Sequence, residues 1–122
     1  MTEKVIFIEK MKKRTKQFAV DIILFCDSLK NTKASSVITY QIVKSATSTG
    51  ANYRAACKSR SKNEFFSKIC IVVEEADETE YWLKVIKDSN LSDNKNELQR
   101  LLSETLEIIK IMSKAKNSSY IS

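Results

Sequence analysis

Three dense groups of charge and three cysteines are the chemistry-bearing clusters in this 122-residue chain. Glu74, Glu75, Asp77, Glu78 and Glu80 crowd one short stretch. Carboxylates inside a helical bundle can hold two irons, but such centres draw glutamates from separate helices and add Glu-x-x-His pairs. The chain has no histidine, and the five carboxylates fall on one predicted element. A solvated or inter-subunit salt-bridging face is therefore the better reading, and no metal site is assigned. Hydrolysis by paired carboxylates needs two of them opposed across a cleft, and nothing in the sequence supplies that arrangement. No catalytic residue and no cofactor is assigned, and the protein is expected not to be an enzyme.

The basic residues form two groups. Lys10, Lys12, Lys13, Arg14 and Lys16 lie near the start of the chain, and Arg54, Lys58, Arg60, Lys62 and Lys68 lie near its middle. Lysine and arginine bind nucleic-acid phosphates without reading sequence. Tyr53 beside Arg54 can stack on a base, although a tyrosine at a helix end more often packs its ring and exposes its hydroxyl. The charge is uneven along the chain: residues 1–62 hold thirteen Lys/Arg against four Asp/Glu, and residues 63–122 hold eight against eleven. That asymmetry fits a polyanionic partner or a complementary contact between copies, with a plain solvated surface as the alternative.

Cys26, Cys57 and Cys70 are odd in number and widely spaced, with no Cys-x-x-Cys pair. They read as reduced, buried small hydrophobes, which fits a cytoplasmic protein. Val5 to Ile8 is too short for a secretory signal. Asp21 interrupts the run from Phe18 to Phe25, and Ile69 to Val73 is too short to span a bilayer, so no membrane segment is expected.

The elements that must position these groups follow from one glycine and no proline, which disfavours an all-β fold and excludes glycine-rich phosphate loops. Apolar residues recur at helical spacing in four stretches. Phe18, Ile22, Phe25 and Leu29 predict a first helix from about Glu9 to Lys30. Ile38, Ile42, Ser45, Thr49 and Asn52 predict a second, starting at Ser35 or Ser36 and reaching about Lys58, with a bend near Gly50. Ser61 and Glu64 form a capping-box pattern before a third helix marked by Phe65, Ile69, Val72, Ala76, Thr79, Leu83 and Ile86 and ending near Lys87. Asn94 and Glu97 precede a fourth, marked by Leu98, Leu102, Thr105, Ile109 and Met112. Short connections make consecutive helices antiparallel, which gives an all-α, up-down-up-down four-helix bundle in a single domain. Residues 1–8 and 117–122 are expected to be peripheral or frayed. Tyr81 and Trp82 are adjacent and cannot both face the core, so one should point outward.

Three blocks carry a resemblance. Gln41 to Ala56, Arg60 to Phe65 and Glu75 to Leu83, in this order, closely resemble the four-helix-bundle proteins encoded in intervening sequences of 23S ribosomal RNA genes, proteins that have been labelled ribosomal by association. The resemblance covers about Phe18 to Met112. It implies a ring-like homopentamer, and the chain also looks related to the accessory proteins of diversity-generating retroelements, which engage a reverse transcriptase and nucleic acid through basic surfaces. No catalytic residue carries over. Where many relatives have isoleucine and then proline or glycine in the second helix, this chain has Thr49 before Gly50.

The leading expectation is a non-enzymatic homopentamer that binds RNA or DNA through Lys10, Lys12, Lys13, Arg14, Lys16, Arg54, Lys58, Arg60 and Lys62, with Tyr53, Tyr81 and Trp82 as candidate contacts between copies. A reverse transcriptase or another protein is a candidate partner. The alternative is an oligomeric protein-interaction adaptor whose basic residues only balance charge. Gly50 is expected inside or at a break of the second helix, against a close neighbour.

Overall fold

The computed structural model describes the backbone of residues 1–121 and the side chains of residues 1–118. Four helices follow one another through short connections: α1 (Glu3–Cys26), α2 (Lys33–Cys57), α3 (Lys62–Asp88) and α4 (Lys95–Ile121). Each packs against its neighbours in sequence, and α4 returns beside α1 as the least closely apposed pair. The result is the expected all-α, up-down-up-down bundle, with no strand among the described residues. No helix among them is long and apolar enough to cross a membrane.

The helix starts differ from expectation at the level of single hydroxyls. α1 begins six residues earlier than the expected Glu9, because Thr2 Oγ1 accepts from the Val5 N–H at 3.2 Å and caps it. Residues 3–8 are therefore helical, although Val5, Ile6 and Phe7 stay exposed. α1 ends at Cys26, short of Lys30, in a turn where the Ser28 and Leu29 N–H groups donate back to Phe25 and Cys26. For α2 the cap is Thr32. Its Oγ1 accepts from Ser35 N at 3.0 Å while Ser35 Oγ accepts from Thr32 N at 3.1 Å, so Ser35 is the reciprocal member of a capping box and not the cap itself. Ser61 caps α3 as expected, accepting from Glu64 N at 3.1 Å. The Glu64 carboxylate reaches past Ser61 to the Arg60 N–H, so the reciprocal bond is shifted by one residue. Asn94 accepts from Glu97 N at the head of α4, which continues past Lys116 to Ile121.

With no glycine available at the close of α3, Asn90 takes the left-handed conformation there, at φ 55°. The Leu91 N–H then reaches Ile86 O and the Asn90 N–H reaches Lys87 O, the paired bonds of a Schellman stop. After glycine, asparagine is the residue most often found in this conformation at a helix end.

The core follows the predicted stripes with one addition. Phe18, Ile22, Ile42, Ile69, Leu83 and Ile86 are fully enclosed, and each such side chain contributes about 1.5–3 kcal/mol when buried. The stripe also extends to Met11 and Thr15 at one end of α1, and in α2 it passes to Tyr53 and Ala56 and leaves Asn52 half-buried. In α4 Leu101 and Ile108 are enclosed while Ile109 is only half-buried.

Hydroxyls occupy the middle of the bundle. Ser45 Oγ and Thr79 Oγ1 lie 2.8 Å apart across α2 and α3, and Thr15, Thr49 and Thr105 each donate to the carbonyl four residues back. Each of these central hydroxyls thus has a partner, which removes the cost of enclosing it. Gly50 faces Thr15: a Cβ on it would stand 3.4 Å from the Thr15 carbonyl oxygen and 3.5 Å from its hydroxyl. The glycine lies inside an unbroken α2 against a close neighbour, so close approach of α1 is its role, and the helix is not interrupted there.

Candidate nucleic-acid interface

The antiparallel fold decides which charges meet. Thr15 faces Gly50 and Arg14 pairs with Glu104; Ser45, five residues before Gly50 on α2, meets Thr79, so in this antiparallel pair the level of Gly50 falls near residue 74 of α3. On one side of that level lie residues 1–15, 50–74 and 104–121, with thirteen Lys/Arg against six Asp/Glu. The remaining residues hold eight against nine. The uneven charge along the sequence therefore becomes an uneven charge between the two ends of the molecule, and its membership changes. Lys16, Lys30, Lys33 and Lys44 fall outside the basic end, while Lys68 joins it, as do Lys110, Lys114 and Lys116 of α4. These three were missed because they sit in the acidic half of the sequence. The signal that finds them is the pairing of the end of α4 with the start of α3.

The predicted cations divide by what they already touch. Arg14 makes a bidentate pair with Glu104, at 2.8 Å from Nε and 2.7 Å from Nη2, which ties α1 to α4. Its guanidinium is held charged by that hydrogen-bonded pair. Lys12 is engaged with Glu9 at 3.3 Å. Lys10, Lys13, Lys16, Arg54, Lys58 and Arg60 are exposed and make no ion pair among the described residues. Lys62 is exposed at the first position of α3. Lys16 lies just beyond the Thr15 level, so it stands at the rim of the basic end.

Tyr53 is 3% exposed, packed in the core between the basic groups. Burial drives its phenol pKa upward, and Cys57 beside it adds to the shift. Burial likewise raises the Cys57 thiol, opposed by a hydrogen bond to Tyr53 and by Lys12 and Arg54 nearby. The expectation that Tyr53 meets a second copy does not fit this burial, nor does an exposed stacking role. Cys26 is raised further, to about 11, chiefly by burial, so it is an inert thiol at neutral pH.

The other end carries different chemistry. Tyr81 is 59% exposed, and its ring meets Trp82 edge-on at 5.0 Å. Trp82 packs against the core, with its indole N–H donating to Glu78 at 3.1 Å. Of the adjacent pair, Tyr81 is the outward one. Tyr40 at 66%, Val37 at 63% and Leu24 at 62% are also exposed in this half. They lie off the core stripes of α1 and α2, and that off-phase position is the sequence signal that marks them. Of the α3 carboxylates, Glu80 pairs with Lys84 at 3.6 Å. The Glu75 carboxyl is raised by partial burial and by Glu78.

Comparison with known proteins agrees with this architecture. Residues 9–114 match the family described as 23S rRNA-intervening sequence protein. The fold is similar to a crystal structure of a protein of unknown function from the S23 ribosomal protein family of Bacteroides thetaiotaomicron. The TM-score is 0.81 at 30% identity, covering 90% of this chain and 97% of that one. No curated protein matches the chain.

Proposed function

The chain belongs to the 23S rRNA-intervening sequence protein family, and from that premise we propose that it is a non-enzymatic homopentameric bundle that binds nucleic acid, RNA in the first place, through its basic end. The observation that carries this reading is the set Lys10, Lys13, Arg54, Lys58 and Arg60. All are exposed at one end of the bundle without an ion pair among the described residues. Lys110 and Lys114 of α4 extend it. Phosphate contacts of this kind position a strand without reading its bases, so binding is backbone-directed and sensitive to salt. The pentameric number follows the family resemblance. Support for self-association comes from Leu24, Val37, Tyr40 and Tyr81, large apolar side chains left in water at the opposite half. RNA at one end and copies of the chain at the other then use different surfaces.

The test is gel shift of a single-stranded RNA 20-mer at low salt, with the wild-type chain and with Arg54→Glu/Lys58→Glu/Arg60→Glu. The reading expects wild-type binding, and a loss of about a hundredfold in the variant with its oligomeric mass unchanged. No wild-type binding at low salt overturns it. A second reading, favoured by exposed Tyr81 beside the α3 carboxylates, is a protein-interaction adaptor. It predicts instead that the charge reversal alters assembly.

A further inference from the structure

The bundle does not close completely at its basic end. A pocket of about 580 Å³ opens between the first turns of α1, the end of α2, the start of α3 and the last turns of α4, within the size range of small-molecule sites. Its wall is apolar, formed by Phe7, Ile8, Tyr53, Phe65, Ile111 and Met112. Lys4, Arg60 and Lys62 also line it, and no carboxylate of the described residues does. Lys4 and Arg60 make no ion pair among the described residues. A second, independent feature is Ser59, which lines the same pocket. Its Oγ is shut off from solvent and has no hydrogen-bond partner among the described residues. Buried hydroxyls are almost always paired, so an unpaired one in a pocket wall marks a place for a polar atom from outside the chain.

We propose that this pocket binds a small amphipathic anion of the fatty-acid class, a hydrocarbon body carrying one carboxylate. The hydrocarbon lies against Phe7, Ile8, Phe65 and Ile111. The carboxylate meets Lys4 and Arg60, and the Ser59 hydroxyl, enclosed in the wall as it stands, turns to donate to it. Nucleic-acid backbone satisfies only the charged half of this description, because it has no apolar tail to enclose. The site therefore goes beyond RNA binding and does not depend on it, although Arg60 belongs to both surfaces.

The experiment is calorimetric titration of the full chain with decanoate below its micelle-forming concentration, and in parallel with decan-1-ol, which keeps the tail and removes the charge. Decanoate is expected to saturate one site per chain and to bind at least about tenfold more tightly than the alcohol. Ala115→Trp, which projects a large ring into the pocket from α4, is expected to abolish decanoate binding while RNA affinity stays at the wild-type level. Lys4→Gln/Arg60→Gln, on exposed positions that do not threaten folding, is expected to reduce decanoate to the affinity of the alcohol. The proposal is overturned by an absence of saturable decanoate binding, by equal affinity for acid and alcohol, or by wild-type decanoate affinity in Lys4→Gln/Arg60→Gln.

Discussion

Where α1 hands over to α2 and α3 to α4, the connections are tied to each other and to the core. At the opposite end, the α2 to α3 connection borders an open pocket. At the first end the Lys30 N–H donates to Leu91 O at 2.9 Å, Leu91 and Ser92 are buried, and Lys30 pairs with Asp93. Arg100 bridges Glu97 and Asp21, joining α4 to α1. At the second end Arg54, Lys58 and Arg60 face water with no ion pair among the described residues, and Ser59 lies buried without a partner among them. Charge is used at one end to hold helices together and at the other is left for a ligand. The lesson is that net charge alone does not locate a binding surface; which cations lack internal partners does.

Several substitutions would break or sharpen this contrast. Tyr40→Lys/Tyr81→Lys places charge on the apolar surface of the tied end and, with copies of the chain meeting there as proposed, should leave single chains, read as mass by sedimentation velocity. An unchanged mass would move self-association elsewhere. At the level between the ends, Gly50→Leu forces a side chain into the Thr15 backbone and should destabilise by about 2–3 kcal/mol. Gly50→Ala should change stability little, because about 1 kcal/mol of helix propensity offsets the tighter contact. Thermal or denaturant unfolding of the two variants checks both. Lys110→Glu/Lys114→Glu should weaken RNA binding about tenfold; no effect would limit the binding surface to α1, α2 and α3.

The smallest effect belongs to the tied end. Arg100 holds the Glu97 carboxyl below its usual range through their hydrogen-bonded pair. A lowered carboxylate contributes stability above its unfolded pKa and loses it as pH falls through the folded one. Arg100→Gln should therefore cost under about 1 kcal/mol at neutral pH for this exposed pair, and the difference from wild type should vanish on acidification, as melting curves across pH would record.

Much of the fold was legible because apolar spacing dictates it. Ile22, Ile42, Ile69 and Leu83 fall on predicted stripes and are fully enclosed. The caps were less legible, since Thr32, Ser35 and Ser36 are equivalent by residue type and only the hydrogen-bond geometry distinguishes Thr32. Val5 to Ile8 hid the start of α1, because four consecutive apolar residues have no helical phase and only Ile8 is even half-buried. For the candidate site, the two basic groups do come together, as antiparallel helices require. Which lysines are free did not follow, because Arg14 with Glu104 and Lys12 with Glu9 depend on side-chain reach. Lys110 and Lys114 were invisible to a count by sequence halves, since an even number of antiparallel helices returns the chain to the end where it began.

The central claim is that unpaired cations at the basic end bind nucleic-acid backbone, and the salt dependence of RNA affinity tests it most directly. Six phosphate contacts on a single strand predict a slope of about −4 for log affinity against log salt. Arg54→Glu/Lys58→Glu/Arg60→Glu removes three of the six and should bring that slope to about −2 with the fold intact. A wild-type slope near zero, or a variant slope equal to the wild-type one, would contradict the assignment of RNA to this end.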